Sequence, residues 1–431
     1  MLPLIDLPIL PVWAQQLAGI LPLSALIDFI DVPMKLHMFQ LTGSDAFWNW
    51  TITPMGARLL LARREPLASC CLDEDGSTAP LYCIDGRYGD VYPSSHPKTL
   101  RLCVLRSRDT SVAIHNRCDH IDDPLNRLQR LEFVHVSRSS SGTTSVGQPR
   151  DCFSQHFRSA RYRLMAICGW ICWLGATVIS FISKLWFAGV FLAVIPLTGF
   201  VVYLIHGGSP RRLLSDEPSK HNRMVVSTNS LNGTNWTAFH GQSPTVNSVI
   251  NKPLYCTQRA SWVSREGLLR ALLQVLIAAQ WITVLGSCSL QDWNAYMIVM
   301  WVVLGIVVST YVYPPMHGIK DWMTYGAGIA LTASHVTFSS RRAMLSALLY
   351  LSPDKLEPGG TKWIDPILAP SSDRSQWEAA LKSYIATGDA EELAKRSYWW
   401  KFVMEGVAIG REVEAFLGEL DKQPSRTSPT P

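Results

Sequence analysis

Hydrophobic residues dominate one long central stretch of the chain. Between positions 164 and 205 the only formally charged side chain is Lys184. A membrane-spanning helix needs about 20 mainly apolar residues, so this stretch is long enough for two. The pattern therefore predicts a pair of helices that cross a lipid bilayer and meet in a tight turn near Lys184.

A second apolar stretch follows after a polar interval. It consists of Leu268–Leu290 and Trp293–Tyr313, which are separated by Gln291 and Asp292. This pattern predicts a second hairpin and brings the number of spans to four. An earlier apolar run, Leu7–Ile27, contains three prolines and two adjacent glutamines. It fits a fifth span or an interfacial or re-entrant segment, because a broken helix at membrane depth needs protein around it.

The distribution of lysine and arginine predicts the orientation of both hairpins. Their long polar flanks carry several basic residues each, whereas the two short turns carry only Lys184. Because basic residues are enriched on the cytoplasmic side, we expect every long polar segment to be cytosolic. Two adjacent glycosylation sequons, at Asn232 and Asn235, would then stay unmodified. The localisation predicted is integral and multi-pass, in either an endomembrane or the plasma membrane.

The polar segments predict mixed structure before the first hairpin and helices after the second. Turn-forming Asp-Gly pairs separate some of the short β-like runs, which are Leu59–Leu61, Leu81–Ile84, Leu100–Leu105 and Ser111–His115. In the C-terminal region, capping-box patterns precede an apolar stripe with helical spacing. That stripe consists of Phe402, Gly406, Ile409, Val413, Phe416 and Leu420.

The predicted fold class is a mainly α membrane protein with two transmembrane helical hairpins. It has four spans and a possible fifth at the N-terminus, a small α+β cytosolic region and a helical C-terminus. The expected division is an apolar N-terminal segment (span or interfacial) at 1–31, a cytosolic β-containing region at 32–136, a flexible linker at 137–150, the first hairpin at 163–206, a cytosolic loop at 207–266, the second hairpin at 267–313, a juxtamembrane region at 314–371, cytosolic helices at 372–421 and a disordered tail at 422–431.

Composition and motifs exclude several kinds of partner. The net charge of +5 is mild, and no basic run interleaved with aromatics indicates nucleic-acid binding. Possible metal ligands lack the paired CxxC or HxxxH units usual in zinc sites, so we expect no metal and no cofactor. The residues of metal-ligand type are Cys70, Cys71, Cys83, Cys118, His120 and Asp122. A DDxxD-like motif at Asp122–Asn126 is incomplete, because it ends in Asn and contains Pro124.

The third predicted span contains the best candidates for a binding site. Arg270, Gln274 and Gln280 lie in this span or at its entry. Polar side chains at such depth face the bundle interior or a cavity, so they are candidate substrate or ion ligands. Two other readings stay open: Arg270 reaches the cytosolic interface, and the glutamines bond neighbouring helices. No residues are assigned a catalytic role.

A segment between the second and third spans carries a family resemblance. It reads NWTAFHGQSPTVNSVINKPL from Asn235 to Leu254. The segment resembles a recurring stretch in multi-pass membrane proteins of filamentous fungi, a family for which no activity is known. The resemblance implies an integral membrane protein and assigns no catalytic residue. The matching residues are Asn235, Trp236, Phe239, Gly241, Ser243, Val246, Asn247, Ser248, Asn251, Lys252, Pro253 and Leu254.

Three functions are consistent with these patterns. Because no catalytic motif is complete, the leading expectation is a non-enzymatic membrane scaffold or accessory protein. The lipid bilayer would be its environment, and the helix predicted at 398–420 a possible site for a protein partner. The first alternative is a membrane-embedded biosynthetic enzyme, cyclase-like, acting on a lipophilic substrate. The second alternative is a small transporter or channel.

Overall fold

The computed structural model of the protein describes residues 7–28, 31–43, 45–62, 70–74, 79–86, 89–108, 112–113, 127–138, 160–206, 210–214, 219, 221–255, 266–352 and 360–422. It divides into two compact units, each built from three parts of the chain. The helical unit comprises Met1–Asp75, Thr144–Arg212 and Leu254–Ala327. The sheet unit comprises Gly76–Thr143, Leu213–Pro253 and Gly328–Pro431.

The structure is mostly helical. In chain order the described α-helices are α1 Val12–Ala18, α2 Leu21–Asp28, α3 Val32–Thr42, α4 Pro54–Leu61, α5 Cys71–Glu74, α6 Pro97–Ser107, α7 Ala160–Ile182, α8 Trp186–His206, α9 Ser243–Ile250, α10 Glu266–Leu290, α11 Trp293–Val307, α12 Pro315–Asp321, α13 Arg341–Leu351, α14 Ser372–Thr387, α15 Ala390–Arg396 and α16 Trp400–Lys422. The described strands are β1 Tyr82–Asp85, β2 Val91–Pro93, β3 Val112–Ala113, β4 Gln129–Arg138, β5 Asn222–Thr228, β6 Asn235–Gln242 and β7 Ile329–Phe338.

Four of the described helices, all in the helical unit, are long and apolar enough to cross a membrane. They are α7, α8, α10, and α11 together with the π-helical turn Val308–Val312. The helix breaks fall where the sequence predicts the turns, and Lys184 and Gln291 have positive φ angles of 60° and 53°. The segments Val12–Ile27 and Val32–Thr42 meet at 45° and would make a fifth, broken span or a re-entrant loop. Both alternatives for the N-terminal segment therefore stay open.

A mixed seven-stranded sheet forms the centre of the sheet unit. Its strand order is β2-β1-β5-β6-β4-β7-β3. β4 pairs in parallel with β6 and antiparallel with β7, while β5 and β6 form an antiparallel hairpin. The strands come from all three polar segments of the chain, which the two apolar hairpins separate. Part of the region expected to be a loop at 207–266, and part of the juxtamembrane region at 314–371, are therefore strands.

Helices cover both faces of this sheet. One face packs on α13 to α16 through buried side chains such as Phe133, Trp236 and Phe338. On the other face, α9 contacts β4, β5 and β6, and α6 contacts β7. Because both faces are covered, β4 and β5 do not show the simple alternation of buried and exposed residues that marks a half-exposed sheet. β4, for example, is buried continuously from Leu131 to Val136.

Two β-like runs are helices in the structure. Leu59–Leu61 ends α4, and Leu100–Leu105 lies within α6. Both helices begin at a proline, which suits the first helical position because it lacks an N–H and has a fixed φ, and the side chain of Thr53 caps α4. The run at 81–84 overlaps β1.

Other expectations meet the described residues only in part. Of the run at 111–115, residues 112 and 113 form β3 and the rest lies outside the described residues. Residues 137 and 138 of the expected linker end β4, and the rest of it lies outside the described residues, as does the tail from residue 423.

The C-terminal region is helical, with the Ser371 side chain capping α14 and Asp389 accepting a hydrogen bond from the Glu391 N–H at the start of α15. α16 packs its apolar face on α13 through Val403, Val407 and Val413, which are fully buried. Gly406 sits so close to Ala343 and Ser346 of α13 that a side-chain Cβ would overlap them. Of the predicted apolar stripe, Gly406, Ile409 and Val413 are therefore buried in the protein's own sheet unit, while Phe402, Phe416 and Leu420 are half-buried. A protein partner at 398–420 stays a prediction.

Candidate ligand-binding cavity

The helical unit contains a cavity of about 400 Å³. Side chains of α3, the chain after it, the start of α7, the end of α11 and α12 line it. Most of its lining is apolar and includes Met34, Met38, Phe39 and Met165. Ligand-binding cavities commonly have volumes of about 300 to 1,000 Å³ and a few placed polar groups on apolar walls. This cavity therefore has the size and lining of a site for a small lipophilic molecule.

Two π-helical turns shape one side of the cavity. The first is Val308–Val312, which ends the fourth apolar helix, and the second is Trp322–Ala327 after α12. Residues of both turns line the cavity. A π-helical turn widens the helix, is rare, and is found mostly at functional positions. Pro314 and Pro315 come shortly after the first turn. The helix ends there because proline cannot continue it.

A half-buried ion pair forms part of the polar lining. The Lys35 ammonium lies 3.3 Å from a carboxylate oxygen of Asp45. It also donates a hydrogen bond to the Asn49 carbonyl and lies 4.8 Å from the centre of the Trp50 ring. Asp31 caps the start of α3, because its side chain accepts a hydrogen bond from the Met34 N–H. Lys35 lies one helical turn after this cap. In such a pair each partner offsets part of the cost of removing the other from water.

A second polar pair lies on the opposite lining segment. The Tyr313 hydroxyl donates a 2.9 Å hydrogen bond to the Asp321 carboxylate, and its ring packs edge-on against Tyr162 at 5.4 Å. Among the described charged residues that line the cavity, Asp31, Asp45 and Asp321 are acidic and only Lys35 is basic. The polar lining therefore offers mainly hydrogen-bond acceptors and negative charge. It suits a ligand group that donates hydrogen bonds or carries positive charge.

The wall beside the ion pair is a segment inserted among the apolar helices, with a single 3-10 turn at Phe47–Asn49 and no α-helix. This inserted segment, residues 46–53, places the Trp48 ring against Gly169 of α7 and the Trp50 ring against Gly199 of α8. The Asn49 side chain lies against Gly305 of α11 and donates to the Ser309 hydroxyl. Small residues on helices let another part of the chain approach closely. Glycines on three of the four apolar helices thus make room for the inserted segment.

Side chains of α10 satisfy the backbone of the inserted segment. The Gln280 amide accepts from the Ile52 N–H at 3.0 Å and donates to the Trp50 carbonyl at 3.0 Å. The same amide donates to the Thr198 hydroxyl at 2.9 Å. The Trp281 indole donates to the Ile52 carbonyl at 3.1 Å. Non-helical backbone at membrane depth is tolerated only where protein satisfies it in this way.

The structure does not bring together the three site residues predicted from sequence. Gln280 is fully buried, Gln274 is exposed and Arg270 is half-buried at the start of α10. None of the three lines the described cavity. The contacts of Gln280 fit the alternative in which a glutamine bonds neighbouring segments, and a binding role for the three residues stays a prediction.

The two polar pairs that line the cavity are not among the site residues predicted from the sequence. The sequence signal for these pairs is Lys35, a charged residue in the apolar run 32–42, with Asp45 after the helix. A charge in an otherwise apolar helix points to a partner or a site.

Several motifs lie outside the described residues. These are the DDxxD-like motif at Asp122–Asn126, and Cys118 with His120. The segment at 235–254, expected to be a compact loop, is β6 followed by α9. No protein-family model, curated protein or solved structure matches the chain. The resemblance to fungal membrane proteins therefore stays a prediction.

Proposed function

We propose that this protein is an integral membrane protein that binds a lipophilic small molecule in the cavity of its helical unit. The observation that carries the proposal is a cavity of about 400 Å³ with a mainly apolar lining and two half-buried polar pairs. The four long apolar helices of the same unit support insertion into a bilayer. A bilayer concentrates lipophilic molecules, so a half-enclosed site among membrane helices selects ligands of that class.

The polar lining supports a more specific ligand class. Three carboxylates and one ammonium line the cavity, so an anionic head group would meet net negative charge. An amine or alcohol instead donates hydrogen bonds to the carboxylates and hydroxyls. We therefore expect the ligand to be a long-chain or polycyclic apolar molecule with an amine or hydroxyl group.

This proposal predicts site-specific photolabelling in membranes. The probes are long-chain alkyl amines, alcohols and carboxylic acids that carry a diazirine and an alkyne. We expect the amine and alcohol to label peptides containing Met34, Met38 or Tyr162, and the acid to label them less. Replacing Ile306, which lines the cavity, with tryptophan fills part of the cavity and should reduce this labelling several-fold.

The matched control for that experiment is Val303→Trp. Val303 lies on the same helix, is 48% exposed and does not line the cavity. The Val303→Trp variant adds the same indole ring outside the cavity, so labelling should not change. Equal labelling of all outward-facing helix surfaces, with no effect of Ile306→Trp, would contradict a specific site.

A catalytic use of the cavity is the second candidate. The Tyr313–Asp321 and Lys35–Asp45 pairs put groups able to exchange protons on the wall of a site for a lipophilic molecule. General acid–base catalysis requires such groups within hydrogen-bond reach of the reacting atom. Recovery of the bound probe in a chemically changed form would favour an enzyme. Recovery unchanged would favour a binding protein or accessory factor.

The sheet unit supports the proposed topology. Two apolar helices lie between β4 and β5 in the chain, and two more between β6 and β7. Strands that share a sheet must lie on the same side of a membrane, so each pair of spans has to cross and return. With basic residues at the polar flanks, we infer that the sheet-forming segments and the C-terminal helices are cytosolic.

This topology predicts that Asn232 and Asn235 carry no glycan. Endoglycosidase treatment should leave the mobility of the protein unchanged on a denaturing gel. As a positive control, a glycan-acceptor loop inserted at the Lys184 turn should become glycosylated when the protein is made in a eukaryotic host. A mobility shift in the unmodified chain, lost on Asn232→Gln and Asn235→Gln, would reverse the orientation.

A further inference from the structure

Three side chains of the helical unit bring together the donor atoms of a transition-metal site. A nitrogen of His37, the Sγ of Cys70 and a carboxylate oxygen of Asp73 all lie within 4.8 Å of one another. His37 lies on α3, while Cys70 and Asp73 lie at the start and in the first turn of α5. The three residues are spread over 37 positions of the sequence, and the packing of α5 on α3 brings them together.

The backbone around the cluster is held in place on both sides. Cys70 precedes α5, and its carbonyl accepts a 2.9 Å hydrogen bond from the Asp73 N–H. The side chain of Gln40 on α3 accepts a 2.7 Å hydrogen bond from the Cys71 N–H, and the Cys71 thiol contacts the Pro33 carbonyl. Cys70 and Asp73 are three residues apart, so their side chains meet on one side of the turn.

The donor set selects the kind of metal. One imidazole, one thiolate and one carboxylate suit Zn²⁺, whereas Mg²⁺ and Ca²⁺ prefer oxygen donors alone. Bond lengths of about 2.0 to 2.3 Å put neighbouring ligands of tetrahedral zinc roughly 3.5 Å apart. The observed separations, up to 4.8 Å, need only small side-chain adjustments to reach that distance. Three protein ligands leave the fourth position for water.

Burial and charge around the cluster favour a neutral metal complex. His37 and Cys70 are fully buried. Burial raises the pKa of the Cys70 thiol well above its ordinary value, while the nearby Arg211 guanidinium lowers it and Asp73 raises it. A zinc ion with one thiolate and one carboxylate carries no net charge, so the complex avoids burying an uncompensated charge. Formation of the Zn–S bond breaks the S–H bond and releases that proton to solvent.

The same three residue types also occur in nucleophilic triads, but their surroundings disfavour that use here. None of the three residues lines the described cavity, although Lys35 and Met38, the near neighbours of His37 on α3, do. We propose that His37, Cys70 and Asp73 form a zinc site that fastens α5 to α3. This site is independent of the lipophilic ligand proposed above.

Metal titration of the full-length protein in detergent tests this proposal. After removal of metal with a chelator, the protein should bind about one Co²⁺ per chain and show a thiolate-to-cobalt charge-transfer band. Zn²⁺ should displace the Co²⁺ and abolish the band. Cys70→Ser and His37→Gln should each weaken Zn²⁺ binding by about 100-fold or more, because even indirect contacts to a metal contribute 10- to 100-fold.

Matched variants identify the thiol responsible. Cys71→Ser removes the adjacent buried thiol, which is outside the cluster, and should leave the cobalt band unchanged. Absence of the band in the unsubstituted protein would overturn the proposal without relying on any variant that fails to fold. Loss of the band in Cys118→Ser but not in Cys70→Ser would also overturn it, and would assign the metal to the residues around His120.

Discussion

Replacing Gln280 with leucine is expected to lower the free energy of unfolding of the helical unit by about 4 kcal/mol. The substitution removes three hydrogen bonds at once, to the Ile52 N–H, the Trp50 carbonyl and the Thr198 hydroxyl. A buried polar group left without a partner costs about 1 to 3 kcal/mol. Leucine has nearly the same volume, so lost packing contributes little. The loss would appear as a lower thermal midpoint of the full-length protein in detergent.

Gln274→Leu is the control for this prediction. Gln274 lies on the same helix but is exposed, so its replacement should change the midpoint little. The comparison also tests the sequence-based hypothesis that both glutamines bind a ligand. Equal effects of the two substitutions would contradict the structural role that the contacts of Gln280 indicate.

The apolar helices were predictable because length and hydrophobicity are local properties. A run of about 20 apolar residues identifies a span without knowledge of its neighbours. The packing inside the unit was not predictable in that way. Residues 46–53 carry three aromatic rings within four positions, yet their insertion depends on glycines at 169 and 199, more than 100 positions away. Sequence periodicity along a single segment holds no information on such a pairing.

The strands of the sheet also depend on partners that are far away in the sequence. β6 was expected to be a loop because Asn, Gly, Gln and Ser are dense in its neighbourhood, and such residues favour local side-chain-to-backbone hydrogen bonds. Its strand structure depends on β4 and β5, with Phe239 opposite Val134 and Val225 in the two neighbours. β4 lies on the other side of the first apolar hairpin in the sequence. Coverage of both sheet faces also removed the period-two pattern that would have identified β4 and β5.

The candidate site residues, too, can be predicted only where their signal is local in the sequence. A polar residue in an apolar span is visible in the sequence, and Gln280 was found on that basis. Its partner groups are backbone atoms of the inserted segment, which carry no signature of their own. Likewise, His37 and Cys70 are 33 positions apart and lack the short paired spacing by which zinc ligands are usually identified.

Replacing Arg374 with methionine is expected to lower the free energy of unfolding of the sheet unit by about 3 to 5 kcal/mol. The Arg374 side chain is only 6% exposed and forms ion pairs with Asp365 and Glu378 at 2.7 Å each. It also donates hydrogen bonds to the backbone carbonyls of Leu368 and of Thr361. These contacts fasten residues 361–368 to α14. Removing Arg374 leaves the mostly buried Glu378 carboxylate and two backbone carbonyls without this donor, which costs far more than a surface pair is worth.

Two substitutions separate the network from the charge itself. Arg374→Lys keeps the positive charge but loses the planar fork that reaches several acceptors, so it should restore only part of the stability. Lys382→Met removes a positive charge from the same helix outside this network and should have little effect. The measurement is the thermal midpoint of the full-length protein in detergent, followed by the fluorescence of Trp363, which is fully buried beside the network. An Arg374→Met protein as stable as Lys382→Met would mean that residues 361–368 are held by apolar packing instead.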